Sequence, residues 1–285
     1  MLLLFDIGNT HTHAGLADNR RVVKQTNIPT REWFGGGAPV LAKRFVGGNK
    51  IEGAAMCSVV PRATLFIRKF IAQLGAPGTV LARKAGVQAS ACSGDSRKRE
   101  LQRAGTAPAV PLLELTAKTA RGIGIDYPKP DSIGPDRLAN AVAARNRFGA
   151  PVVVVDFGTA VTFDVVDSRG NYAGGIIAPG LAAMTDYLHE KTALLPRIRI
   201  REVKTTIGKS TEQAMLIGAV HGYRGLVREL IAELKRELRV KNLPVVATGG
   251  YAKLIAAKLP EISAVEPDLT LEGLRLAWQA LESRL

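Results

Sequence analysis

Two short acidic, glycine-containing segments stand at matching places in the chain. Asp6-Ile7-Gly8-Asn9-Thr10 follows the apolar run Leu2 to Phe5, and Asp156-Phe157-Gly158-Thr159-Ala160 follows the β-branched run Val152 to Val155. Asp6 aligns with Asp156, and Gly8 with Gly158, at an offset of 150. Such a segment sets a carboxylate at the carboxyl end of a strand, then a glycine that lets backbone amides approach an anion, then short hydrogen-bonding side chains. That chemistry suits a metal-phosphate group, with Asp6 as the metal-side carboxylate. One copy alone is equally an Asx-type turn closing a hairpin. Two copies in a repeated plan favour function.

Between them lies Tyr127-Pro128-Lys129-Pro130-Asp131-Ser132-Ile133-Gly134-Pro135-Asp136-Arg137, an irregular segment before a helical pattern that begins near Arg137. Asp136 falls about at an N-cap, which is its plain structural use. Beside the phosphate-type loops it gains a second one. A carboxylate next to Arg137 can take a proton from a hydroxyl while the guanidinium forks onto a substrate carboxylate. Gly174 to Gly180 and Thr248-Gly249-Gly250 add glycines directly after strands, where a flat base or ribose can lie against backbone.

Other patterns lead nowhere. Gly208-Lys209-Ser210 lacks the P-loop glycine five residues earlier, where Val203 stands. Asp156-Phe157-Gly158 has none of the companion motifs of a protein kinase. His11 and His13 share a strand face without a third ligand, and His189 and His221 are isolated, so no histidine metal site is expected. Cys57 reads as a buried thiol and Cys92 as a free one; two cysteines provide neither a disulfide framework nor a zinc site.

The elements that must position these residues follow from period and punctuation. Each acidic loop sits between a strand and a returning strand that ends in a turn, at Asp18-Asn19 and at Asp167 to Gly170. An echo at half the chain length predicts two related α/β domains, residues 1–149 and 150–285, whose loops face one cleft. Helical patterns cover Ala63 to Leu74, Leu112 to Ala120, Arg137 to Phe148, Leu181 to Leu188, Thr211 to Lys235 and Leu271 to Ser283. Residues 84–110 show no apolar period and read as a flexible insertion whose Arg97-Lys98-Arg99 triplet is solvated.

Composition bounds the function. With 46% hydrophobic residues in a chain of 285, disorder is excluded, and no run approaches the ~20 apolar residues of a membrane span. No signal-type segment is apparent, so a cytoplasmic protein is expected. The 39 Lys and Arg against 25 Asp and Glu leave a formal charge of +14, but the bases interleave with Glu229, Glu233 and Glu237 as on a solvated helix face. With aromatics at only 5%, a base-stacking nucleic-acid surface is not expected, and the charge is better suited to attracting small anions.

Assembled in order, these motifs resemble those of the type III pantothenate kinases, in the superfamily of acetate and sugar kinases and actin. Asp6 to Thr10 matches the first phosphate motif, Gly134 to Arg137 the Gly-x-Asp-Arg motif, and Asp156 to Ala160 the second phosphate motif. Gly174 to Gly180 and Gly208 to Thr211 fall at the glycine-rich and substrate-threonine segments. The resemblance covers the chain except 84–110. It implies two duplicated ribonuclease-H-like domains, an actin-like ATPase fold, around a central cleft in a homodimer. It further implies transfer of the ATP γ-phosphoryl group to the primary hydroxyl of pantothenate, the first step of coenzyme A synthesis. Asp6, Ile7, Gly8, Asn9, Thr10, His11, Thr12 and His13 would hold ATP phosphates and Mg²⁺, with Thr159 assisting. Asp136 would be the base. Tyr127, Gly134, Pro135, Asp136, Arg137 and Thr211 would bind pantothenate, and Asp156 a monovalent cation, K⁺ or NH₄⁺. Lys129 stands where the family commonly has Asn, and Pro135 where it has a small or aliphatic residue. The alternatives are another sugar or small-molecule kinase of the superfamily and a non-catalytic ATP-binding regulator.

Overall fold

The computed structural model describes residues 1–74 and 110–283. Cys92, the basic triplet and all of the 84–110 stretch except its last residue lie outside the described residues. The first sheet is built from β1 (Leu2–Ile7), β2 (His11–Ala17), β3 (Val22–Pro29), β4 (Gly53–Ser58) and β5 (Leu112–Glu114), in the order β3-β2-β1-β4-β5. The second uses β6 (Gly124–Ile125), β7 (Val152–Phe157), β8 (Ala160–Val166), β9 (Asn171–Pro179), β10 (Val245–Thr248) and β11 (Ala264–Val265), ordered β11-β10-β7-β8-β9-β6. Without β6, the second sheet repeats the first. In each, an antiparallel meander of three strands is followed by two strands parallel to the first. β1 and β7 even share one burial pattern, with four buried residues, a half-buried aspartate and a buried apolar residue.

The helices are α1 (Glu32–Gly35), α2 (Ala38–Val46), α3 (Pro61–Leu74), α4 (Pro135–Phe148), α5 (Leu181–Lys191), α6 (Thr211–Ile217), α7 (Tyr223–Leu238), α8 (Ala252–Ala256) and α9 (Leu269–Glu282). β1 and β7 are apolar on both faces because both faces are covered. On β1, Leu3, Phe5 and Ile7 enter an outer core with Trp33 and with Ile67 and Phe70 of α3. Phe5, Trp33 and Phe70 meet edge to face at centroid separations of 6.0 to 6.3 Å. Leu2 and Leu4 point the other way, into a central core shared with Val152 and Val154 of β7, Leu138 of α4 and Leu274 of α9. Val153, Val155 and Phe157 face a third core with Tyr223, Val227 and Ile231 of α7.

Helices α4 and α9 therefore form a middle layer between the sheets. Leu138 to Ala144 of α4 are buried throughout, and the small side chains let α9 come close. At Gly273 a β-carbon would overlap the Ala139 carbonyl. The C-terminal helix thus returns to the first sheet, where Glu272 accepts a hydrogen bond from the Val22 amide at 2.6 Å.

Two sequence expectations are corrected. Leu112 to Ala120 is not a helix. Its apolar start pairs with β4 as a three-residue parallel strand, and Thr116 and Thr119 then exchange side-chain and backbone hydrogen bonds in a turn. The Thr211 to Lys235 pattern is not one α-helix either, since Gly218–Gly222 is wound as a π segment between α6 and α7. Gly218 and Gly222 bound a stretch that weakly favours the regular helix.

Candidate active site

Alternation along the strands decides which side chains meet. Asp6 shares the face of Leu2 and Leu4, and Asp156 that of Val152 and Val154, so both carboxylates point toward the middle layer. Their loops are closed alike, with the Gly8 amide donating to the His11 carbonyl and the Gly158 amide to that of Ala160, each at 3.0 Å. The loop tips touch, the Thr10 and Thr159 hydroxyls lying 3.2 Å apart. Asn9, Thr10 and Thr159 are exposed at this mouth.

The same alternation separates the first motif into two sets. His13 pairs in register with Asp6 on the cleft side. Ile7 and Thr12 face the outer core, where the Thr12 hydroxyl takes the Trp33 indole N–H at 3.1 Å and bonds Thr30 at 3.1 Å. Those two residues can serve a ligand only through backbone. His13 is held below its usual pKa by burial, while Asp156 pulls the other way.

Asp136 enters the cleft from α4. Its position differs from the expected cap, for Gly134 is the N-cap, Pro135 opens the helix and Asp136 lies in the first turn. Proline is favoured there because the amide it lacks would be unpaired anyway. The Arg137 amide and its own amide favour the Asp136 carboxylate, but burial outweighs them and raises its pKa. Its Oδ1 is buried without a hydrogen-bond partner. Burial pushes Asp6 up to about 7, with Asp136 adding repulsion and the Cys57 thiol, 3.4 Å from Oδ1, partly offsetting it. Asp156 rises to about 6 through burial and the charge of Asp6, opposed by Asn140. Three carboxylates from three elements thus repel one another across one space, an arrangement that a bound cation relieves. Among the described residues no three His, Cys, Asp or Glu side chains form a metal cage. The donor set fits an ion that rests on one or two carboxylates plus phosphates and keeps its waters.

Arg137 lies against the second sheet. Its Nε donates to Asp164 Oδ1 at 2.5 Å and Nη2 to the Phe163 carbonyl at 3.1 Å. The guanidinium stands 5.8 Å over the Tyr172 ring, and Tyr127 packs edge to face on Tyr172 at 6.1 Å. Gly175, at φ +157°, admits the arginine because a β-carbon there would strike Phe163 carbonyl oxygen and approach Nη2. Tyr127, Asp136 and Arg137 thus line one wall with the loops of Asp6 and Asp156. Thr211 is exposed as the first residue of α6, whose N-cap Ser210 accepts the Gln213 amide. Lys129 is exposed on the substrate segment.

Several neighbours were not singled out from sequence. Asn140, buried on α4, donates to Asp156 Oδ2 at 3.2 Å and accepts from Thr270 of α9 at 2.8 Å. Asp164 is completely buried opposite Val154. Its signal was available, because a hairpin that pairs residue 156 with residue 162 pairs 154 with 164 and puts Asp164 on the face of Asp156. Asn140 had a weaker one, one helical turn after Asp136.

Comparison with known proteins agrees with this geometry. A family model described as type III pantothenate kinase matches residues 2–91 and 79–233. A type III pantothenate kinase from Akkermansia muciniphila is 42% identical over 276 residues, spanning 96% of this chain and 97% of that protein. Another, from Methylacidiphilum infernorum, is 40% identical over 284 residues, 99% of this chain and 90% of its own. Among solved structures, a protein described as a Baf family transcriptional activator from Campylobacter jejuni superposes with TM-score 0.56 at 16% identity, over 99% of this chain and 100% of that one. A protein described as a 2-dehydro-3-deoxygalactonokinase from Sinorhizobium meliloti gives 0.53 at 12% identity, over 99% of each chain. At such identities the likeness is one of fold, two ribonuclease-H-like halves around a cleft in the actin-like kinase plan.

Proposed function

The chain belongs to the type III pantothenate kinase family, and from that premise we propose how its cleft divides the work. The reaction is ATP-dependent phosphorylation of pantothenate in coenzyme A synthesis. The loops of Asp6 to His13 and Asp156 to Ala160 hold the ATP phosphates between them, with Thr10 and Thr159 at the mouth. Kinases of this kind use a divalent metal with ATP; we assign Mg²⁺ beside Asp6, where it supplies charge neutralisation to the phosphates. We assign a monovalent cation, K⁺ or NH₄⁺, to Asp156, on which the charges of Asp6, Asp136 and His13 act rather than that of the exposed Lys129.

Asp136 is the base. As the pantothenate hydroxyl oxygen bonds to the γ-phosphorus, its proton passes to Asp136, and ADP departs with the electrons of the broken phosphate bond. Arg137 receives the pantothenate carboxylate, with Tyr127, Gly134 and Pro135 shaping that wall. Thr211 completes the substrate set in this reading. Little covalent chemistry is asked of the protein, so positioning and charge neutralisation carry the rate. The observation that carries the assignment is Asp136 Oδ1, buried and unpartnered, in electrostatic reach of both Asp6 and Asp156.

The same reading divides the chain into residues 1–149 and 150–285, each with one phosphate loop, while Gly124–Ile125 and Leu269–Glu282 pack across the boundary. It also includes a homodimer and a cytoplasmic location. No helix among the described residues is long and apolar enough to cross a membrane.

The test is coupled ATP consumption with and without pantothenate, in the native protein and in Asp136→Asn. Pantothenate-dependent turnover falls at least ~10²-fold in the variant, the usual worth of a general base, with ATP binding retained. Near-native turnover would reduce Asp136 to a helix-start residue.

A further inference from the structure

We propose that Asp164 is the positioning residue for Arg137, holding the guanidinium by one edge so that its other edge meets the substrate carboxylate. The inference rests on the reading of Arg137 as the carboxylate-binding group and adds the residue through which that group is made rigid.

A carboxylate with no solvent exposure in the middle of a strand needs a cause, because burying a charge is costly unless it is paired and hydrogen-bonded. Asp164 has such a cause on one side only. Its Oδ1 takes the Arg137 Nε–H at 2.5 Å, and its Oδ2 accepts the Thr162 hydroxyl at 3.4 Å. The pair is lopsided. The Asp164 side chain is 0% exposed, whereas that of Arg137 is 13% exposed, so the arginine alone reaches the open side. A guanidinium carries five N–H donors in a planar fork. The Nε–H is spent on Asp164 and one Nη2–H on the Phe163 carbonyl. Three donors are left, two of them on Nη1, along the edge away from Asp164.

The surroundings hold the same pose. Tyr172 lies under the guanidinium plane, and Gly175 leaves the space that Nη2 occupies. Without the anchor, an arginine in the first turn of α4 keeps its rotamer freedom and must be ordered by each substrate molecule that binds. Stability alone explains the pair poorly, since buried ion pairs seldom outdo apolar packing of similar volume. The two ends also lie on different elements, Arg137 on α4 and Asp164 on β8 of the second sheet. The anchor therefore sets the substrate group relative to the loop of Asp156.

Steady-state kinetics on Asp164→Asn, Arg137→Ala, the double variant and Arg137→Lys test this. Loss of a charged hydrogen bond predicts a rise in the pantothenate KM of about 10- to 100-fold for Asp164→Asn, with kcat within roughly threefold and the ATP KM unchanged. In the Arg137→Ala background the same change adds nothing, because nothing is left to position. Arg137→Lys keeps the charge next to Asp164 but has no second edge, so it shows the same KM-only defect and serves if Asp164→Asn does not fold. If Arg137→Ala leaves the pantothenate KM unchanged, the reading of Arg137 itself fails. If Arg137→Ala raises it but Asp164→Asn does not, or Asp164→Asn acts equally in both backgrounds, or Arg137→Lys keeps the native KM, the positioning role is overturned and the reading of Arg137 stands.

Discussion

Asp6 and Asp156 occupy equivalent positions in the two halves, and both ionise reluctantly. Burial is the main cause in each, moving Asp6 from 3.8 to about 7 and Asp156 from 3.8 to about 6, with repulsion from neighbouring carboxylates adding to it. A carboxyl group whose pKa is raised on folding contributes fully to the native state only below its unfolded value, where both states are protonated; above it the unfolded chain ionises first and native stability falls. That contribution is lost as pH climbs through the folded value. In the ligand-free protein the loss falls between about pH 4 and pH 7. Asp6→Asn, neutral at every pH, should therefore gain on the native chain across that window and keep a constant lead above it. The ceiling is a few kcal/mol, at about 1.4 kcal/mol for each tenfold change in proton affinity, and access of water to the cleft reduces it. Urea denaturation of both proteins without nucleotide, from pH 4 to pH 9, measures the difference. A pH-independent difference would mean that folding does not raise the Asp6 pKa. Saturating ATP with Mg²⁺ should narrow the gap, since a cation beside the carboxylate removes the repulsion.

Helix α4 is the element on which the site depends, and it illustrates what the sequence could and could not tell. Its body and end at Phe148, the two acidic loops and the strands that carry them were legible because each follows a local rule, an apolar β run, a glycine turn or a helical period, whereas its start at Pro135 lies two residues before the expected one. The same rules could not say that α4 would be covered on both sides, since its small residues acquire that meaning only when α9 arrives from the far end of the chain. Leu112 to Ala120 misleads because a short apolar run fits helix and buried strand alike until a partner, here β4, settles it. Asp164 and the inward turn of Thr12 depend on strand parity, which is exact but needs the register first. The packing of α4 on α9 yields its own prediction. Gly273→Val must push a branched side chain into the Ala139 carbonyl, which the middle layer cannot yield without separating the helices. A loss on the order of 3 kcal/mol in thermal or urea unfolding is expected, together with weaker phosphate handling, because Asn140 holds Asp156 from α4 and is itself held from α9. Native stability in Gly273→Val would show that the two helices have slack between them.

Across the whole molecule, charge and exposed apolar surface are distributed differently. Much of the basic excess is spread over helix faces, as on α7, where Arg236 pairs with Glu229 at 3.1 Å and Arg228 with Glu261 at 3.0 Å. Exposed apolar side chains gather instead in two places, one on α1 to α3 with Phe34, Val40, Leu41, Leu65 and Phe66, and the other around α5. Helix α5 buries Leu181 and Thr185, while Met184, Tyr187 and Leu188, at helical spacing, extend that apolar face around the helix into solvent. Ile177 of β9, 65% exposed, and Leu194, 90% exposed, flank that helix in sequence, and Tyr187 on it is 61% exposed. A helix whose apolar face runs wider than the core covers is only part-partnered in a monomer, and exposed apolar patches of this kind mark interfaces. The homodimer proposed above would use this face, with the same patch serving both subunits about a two-fold axis. Placing a carboxylate at Tyr187 and at Leu194 then sets like charges against each other across the axis, without disturbing Leu181 beneath. The double variant Tyr187→Asp/Leu194→Asp should run as a monomer in light scattering at micromolar concentration, and the native protein as the proposed dimer. Its thermal unfolding should fall by no more than the lost association accounts for, and that excess should vanish on dilution of the native protein. A variant that remains dimeric would move the interface elsewhere on the molecule.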